Sequence, residues 1–224
     1  MELGQQAAGI GALADDTRRA LYGYVATQRE PVGREQAATA LDLALHTASF
    51  HLDRLVAEGL LEVEYRRLSG RTGPGAGRPS KLYRRAEREI TVSLPPRRYD
   101  LVGDILATAV DRTATGVPLE QSLEECAREE GVSLGRASGS TGTLDALAAV
   151  LETQGYEPTI SMDTVELANC PFDALARKHT QLVCRLNRSY VQGVADGLGC
   201  AGVAARLEPE PGHCCVKAGV EKSR

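Results

Sequence analysis

The sequence predicts an α+β chain in which three helices and a hairpin come first, connecting helices follow, and a C-terminal α+β domain holds most of the cysteines. Three observations carry this. Apolar residues recur at helical spacing between Asp15 and Glu58, then switch to strict alternation in LLEVEYRRL. A Gly/Pro-rich run, SGRTGPGAGRP, separates that strand from a second strand-like stretch, SKLYRRA. Five of the six cysteines, Cys170, Cys184, Cys200, Cys214 and Cys215, fall in the last quarter of the chain.

The first helix starts at Asp15-Asp16-Thr17, whose side chains accept the orphan N–H groups of a helix start. It carries Ala20, Leu21, Tyr24 and Val25 and ends near Gln28, ahead of Pro31. A second helix runs from Arg34 to Leu41. The break Asp42-Leu43-Ala44 leads into a third, from Leu45 to Glu58, closed by Gly59. The next strand sets Leu61, Val63 and Tyr65 on one side and Glu62, Glu64 and Arg66 on the other. Helix, helix, turn, helix, hairpin is the order of a winged helix-turn-helix, and it fills residues 1–95.

Residues 96–131 read as connecting helices, one from Arg97 to Thr113 and one from Pro118 to Glu130. The apolar face of the first, with Leu101, Ile105, Leu106 and Ala109, serves either a dimer seam or an intradomain core. Residues 132–224 read as a cysteine-rich sensor domain. Gly131 to Gly142 is small and polar, a loop or linker. A helix from Thr143 to Gln154, strands around Thr159–Ala168, helices from Pro171 and Leu182, and a hairpin of Ala204–Leu207 with Cys214–Val220 complete it.

The 224 residues suffice for one large or two small domains. No apolar run approaches a membrane span, and the N-terminus lacks the basic start and long apolar stretch of a signal peptide. The expected compartment is the cytoplasm, where thiols are metallated, reactive or buried rather than paired. Charge is unevenly spread. Residues 66–98 hold ten Lys or Arg and two acids, a local +8 in a chain of net charge −4, so the remainder carries −12. A basic face on an acidic protein points to a polyanion partner for that face alone.

In REQAATALDLALHTASFHLDRLVAEGLLEVE, Ala48, Leu52 and Leu55 form a packed back. His46, Thr47, Ser49 and Phe50 are left at the N-terminal end, where a helix meets base edges in the major groove. Thr47 and Ser49 donate or accept, Phe50 suits a thymine methyl, and Arg54 is placed for a phosphate. His51 ties down the turn. Arg71, Arg78 and Lys81 extend the basic surface onto the loop and return strand. Removing these charges is expected to weaken binding to all sequences and flatten its salt dependence. The phrase TASFHLDRLVAEGLLEVE, with the later GRPSKLYR, resembles winged-helix regulators of the ArsR/DeoR type over Asp15 to Ala86. The resemblance implies a homodimer on a palindromic double-stranded operator.

Convergent thiolates make a soft-metal site. Cys170 precedes Pro171, which suits a helix start where a thiol ionises more easily. Cys184 sits early in the next helix, and two antiparallel helices can bring the two together. Cys214 and Cys215 fall in a strand, whose adjacent residues face opposite ways, so one of them, Cys214 by preference, joins the site. Cys215, His179, His213 or an external group remain open as the fourth ligand. Cys126 reads as core and Cys200 as peripheral. The pattern NCPF…ALA..H..LVC..N with GHCCV resembles the C-terminal domain of regulators related to SufR, the iron–sulfur-responsive repressor of cluster assembly. That resemblance implies a repressor whose cysteines hold a 4Fe–4S or 2Fe–2S cluster; zinc is the alternative, alongside a bare thiol site with a small-molecule effector. No CxxC, nucleotide loop or general-base set supports an enzyme, and GPGAGRP lacks the Lys-Ser/Thr ending of a phosphate loop.

Overall fold

A computed structural model describes residues 3–67 and 79–221. The chain forms two compact units, Met1–Val92 and Ser93–Arg224.

The first unit runs α1 (Leu3–Ala12), α2 (Asp16–Thr27), β1 (Val32–Gly33), α3 (Arg34–Ala40), α4 (Leu45–Ala57), β2 (Leu61–Arg66) and β3 (Ser80–Arg85). Asp15 caps α2 as expected, its Oδ1 accepting from the Arg18 amide at 2.8 Å. The turn between α3 and α4 passes through Asp42 at φ 49°, a left-handed conformation that Asp tolerates better than branched residues. Gly59, at φ 69°, takes the chain out of α4. The sheet order is β1-β3-β2, antiparallel, with Tyr83 opposite both Val32 and Val63. Leu21, Val25, Ala48, Leu52, Leu55 and Leu61 close the core beneath it. Two elements, α1 and β1, are additions to the pattern read from sequence. Ala12, at the end of α1, is buried, and Leu13 and Ile90 pack on the same core.

The second unit runs α5 (Tyr99–Thr113), α6 (Leu119–Ala137), α7 (Leu144–Thr153), β4 (Pro158–Ser161), β5 (Thr164–Leu167), α8 (Asp173–Lys178), α9 (Thr180–Leu198), β6 (Val203–Leu207) and β7 (Val216–Val220). Its antiparallel sheet has the order β4-β5-β7-β6. The apolar face of α5, with Leu101, Val102, Ile105 and Ala109, is buried in this unit's own core. Of the two roles open for that face, the core is the one it fills here.

The expected loop from Gly131 is instead the last two turns of α6. The reason lies in α9. A Cβ on Gly131 would stand 2.2 Å from the Tyr190 carbonyl oxygen, and one on Gly135 2.5 Å from that of Val194. The facing positions on α9 are alike. A Cβ on Gly193 would meet the Arg128 carbonyl oxygen at 2.1 Å, and one on Gly197 that of Val132 at 2.4 Å. Glycine is used here for backbone-to-backbone approach, not for a turn, and the helix propensity lost is offset by packing.

Candidate nucleic-acid interface and thiol site

On α4 the apolar stripe Ala48, Leu52 and Leu55 is fully buried, which leaves the other side open. His46 is exposed, Thr47 and Ser49 are half-buried, and Phe50 is 66% exposed. Phe50 thus stands as a large aromatic open to solvent beside the Thr47 and Ser49 hydroxyls and the His46 ring. The Thr47 hydroxyl and His46 Nε2 lie 3.3 Å apart. His51 is half-buried, with its Nδ1 enclosed and unpartnered among the described residues. Among the described residues this nitrogen therefore makes no hydrogen bond that would tie down the turn. Arg54 pairs with Glu58 one turn on, at 2.6 Å. Lys81 pairs with Asp53 at 2.5 Å. Arg71 and Arg78 lie outside the described residues.

The cysteines of the second unit are drawn together from three segments. Cys170 lies before α8, Cys184 in the second turn of α9, and Cys214 and Cys215 immediately before β7. They close on one another in two pairs. Cys184 and Cys215 form a disulfide with a Cα separation of 6.5 Å. Cys170 and Cys214 share a thiol hydrogen bond. Two sequence expectations need correction. Cys170 is not at a helix start, because α8 begins at Asp173 with Phe172 as its cap. Cys214 and Cys215 are not in a strand. They sit in the turn leading into β7, which lets adjacent residues engage different partners.

Cys214 is 2% exposed. The hydrogen bond from Cys170 holds its thiol below the ordinary cysteine range despite burial, with the Val216 amide and Asn187 helping. The same contact, with burial, pushes Cys170 up. Asn187 Nδ2 donates to Cys214 Sγ at 3.2 Å, and the Tyr156 hydroxyl donates to Asn187 Oδ1. The Tyr156 ring meets Phe172 edge-on at 6.3 Å. Arg97 fixes the start of this chain, donating to Asn169 Oδ1 at 2.7 Å and to the Cys170 carbonyl at 3.3 Å. Sequence reasoning gave Asn187, Tyr156 and Asn169 no role, and counted Arg97 only within the basic stretch of residues 66–98. The available signal was Asn187 at i+3 from Cys184, on one helix face.

His179, between α8 and α9, and His213, in the β6–β7 turn, are both exposed. Among the described residues, no three His, Cys, Asp or Glu side chains are grouped to hold a single metal ion. Cys126 is buried in the core, as expected. Cys200 is buried there too, its Sγ 3.6 Å from the Thr143 carbonyl oxygen. No described helix is long and apolar enough to cross a membrane.

A three-helix core with an exposed second helix of the pair and an antiparallel hairpin defines a winged helix-turn-helix, an architecture of DNA-binding regulators. Residues 13–64 match a protein family described as a helix-turn-helix domain. No curated protein matches the chain.

Proposed function

We propose that the chain is a transcriptional repressor that binds a palindromic double-stranded operator as a homodimer, and that Cys170, Cys184, Cys214 and Cys215 hold an iron–sulfur cluster controlling that binding. The observation behind the cofactor reading is that four cysteines from three segments meet in one unit as two pairs, Cys184 with Cys215 and Cys170 with Cys214. The donor set fits a cluster in kind, being sulfur only, with no carboxylate among it. Cys184 and Cys215 become donors once their disulfide is reduced. Asn187 then offers an N–H toward the sulfurs, and Arg97 with Asn169 holds the Cys170 backbone in place. A bound cluster would supply a redox- and oxygen-sensitive group. Any group bound with unequal affinity by the DNA-competent and DNA-incompetent shapes shifts operator affinity by linkage.

Anaerobic purification followed by a visible spectrum and iron, sulfide and zinc analysis tests this. Iron with sulfide and a brown colour is expected. Serine variants of Cys170, Cys184 and Cys214 that keep the wild-type metal content and operator response would sink it. A second reading is favoured by the closed Cys184–Cys215 bond and by the lack of a three-ligand group among the described residues. In it the thiols themselves complete the site, without a metal, and a small molecule is the effector. A colourless protein supports that reading.

A further inference from the structure

Lys81 was expected to serve a phosphate, yet it meets a carboxylate. Its Nζ lies 2.5 Å from Asp53 Oδ1, and the Tyr83 hydroxyl donates to the same oxygen at 2.7 Å. Asp53 follows Ser49 by four positions and His46 by seven, so it shares their face of α4. Tyr83 is 1% exposed at the centre of the sheet, between Val32 and Val63. Lys81 Nζ also stands 5.3 Å from the Tyr83 ring centroid. One carboxylate oxygen therefore joins the recognition helix to the return strand of the hairpin. Burial pushes the Asp53 carboxyl up, but the Lys81 and Tyr83 hydrogen bonds outweigh it and hold it below the usual carboxylate range, so it is ionised at neutral pH.

A carboxylate on a DNA-facing helix repels phosphates. A lysine already neutralised by it releases no counterion when DNA arrives. We propose that Asp53 is a positioning residue of the DNA-binding face. It latches β3 to α4 through Lys81 and Tyr83, and it withholds the Lys81 charge from the phosphate backbone. Indiscriminate affinity is thereby kept low, and base contacts from His46, Thr47, Ser49 and Phe50 weigh more in the choice of site. The inference rests on the DNA-binding reading of the first unit.

The test measures binding of the full chain to a random-sequence DNA duplex by fluorescence anisotropy over a salt series. Asp53→Asn keeps an acceptor for Tyr83 but removes the charge. It is expected to tighten binding roughly threefold to tenfold and to steepen the slope of log K against log salt by about 0.9, the value of one added phosphate contact. Lys81→Ala alone leaves the slope unchanged, and the double variant returns to the wild-type slope. An unchanged slope in Asp53→Asn, or a slope flattened by about one phosphate in Lys81→Ala alone, overturns the withholding role. The latch is read without DNA. Amide hydrogen exchange at Lys81 to Tyr83 should speed at least tenfold in Asp53→Ala and less in Tyr83→Phe. Unchanged exchange in both overturns the latch. A wild-type chain that binds no duplex at all overturns the DNA-binding reading instead, and the exchange measurement still decides the latch.

Discussion

Phe50 on α4 is 66% exposed, whereas Cys214 in the second unit is 2% exposed. The contrast extends to their neighbours. On α4 the side chains of His46, Thr47 and Ser49 are at least partly open to water, and the one hydrogen bond described among them joins Thr47 to His46. Around Cys214 the polar groups are desolvated and linked in series, Tyr156 to Asn187 to Cys214 to Cys170. Surface groups of the first kind act nearly independently, so their loss changes binding without changing the fold. Linked buried groups act as a unit, so the loss of one leaves the next unsatisfied. The first arrangement suits reading a partner; the second suits holding a fixed internal state.

Four experiments probe this contrast, in falling order of effect. The largest is expected from Gly131→Val. Its side chain would enter the backbone of α9, and overpacking of this kind costs about 3 kcal/mol or more. Loss of α-helical signal at a lowered Tm, with α2 to α4 still protected from hydrogen exchange, is the expected outcome. Next is reduction of Cys184–Cys215 in the metal-free chain. The bridge spans a sequence separation of 31, and loop closure of that length contributes about 3 to 4 kcal/mol. A urea midpoint that does not move on adding a thiol reductant would refute it.

Third is Asn187→Leu, which strands the Tyr156 hydroxyl and removes a donor from Cys214. A cost of about 2 kcal/mol in urea is expected, with Tyr156→Phe costing about half that. Equal and negligible effects would dissolve the idea of a linked series. The smallest stability effect belongs to Phe50→Ala, within about 0.5 kcal/mol of wild type by thermal unfolding. Its DNA affinity should nevertheless fall. A large loss of stability there would place Phe50 in the core and erase the contrast between the units.

The first unit was legible because its signals are local. Asp15, Gly59 and the alternation of Leu61, Val63 and Tyr65 each announce an element within a few residues. The second unit was less so, for two physical reasons. Gly131 and Gly135 read as helix breakers until α9 is seen against them, and that partner lies some sixty residues away in sequence. Cys214 and Cys215 read as strand residues because apolar alternation continues into Val216, yet the strand starts only there. The clustering of thiols was visible in the sequence. Their division into two pairs, and the roles of Asn187, Tyr156 and Arg97, depend on packing that no local pattern encodes. α1 escaped notice because no Ser, Thr, Asp or Asn precedes it as a cap.

The four glycines of α6 and α9 have a consequence for motion. Where side chains separate two helices, a small displacement is absorbed by rotamer changes. Between Gly131, Gly135, Gly193 and Gly197 there are no side chains to yield, and backbone meets backbone. The two helices can turn only as a single rod. Cys184 is mounted on that rod, so any displacement of α9 at this position would be carried to α6 as well.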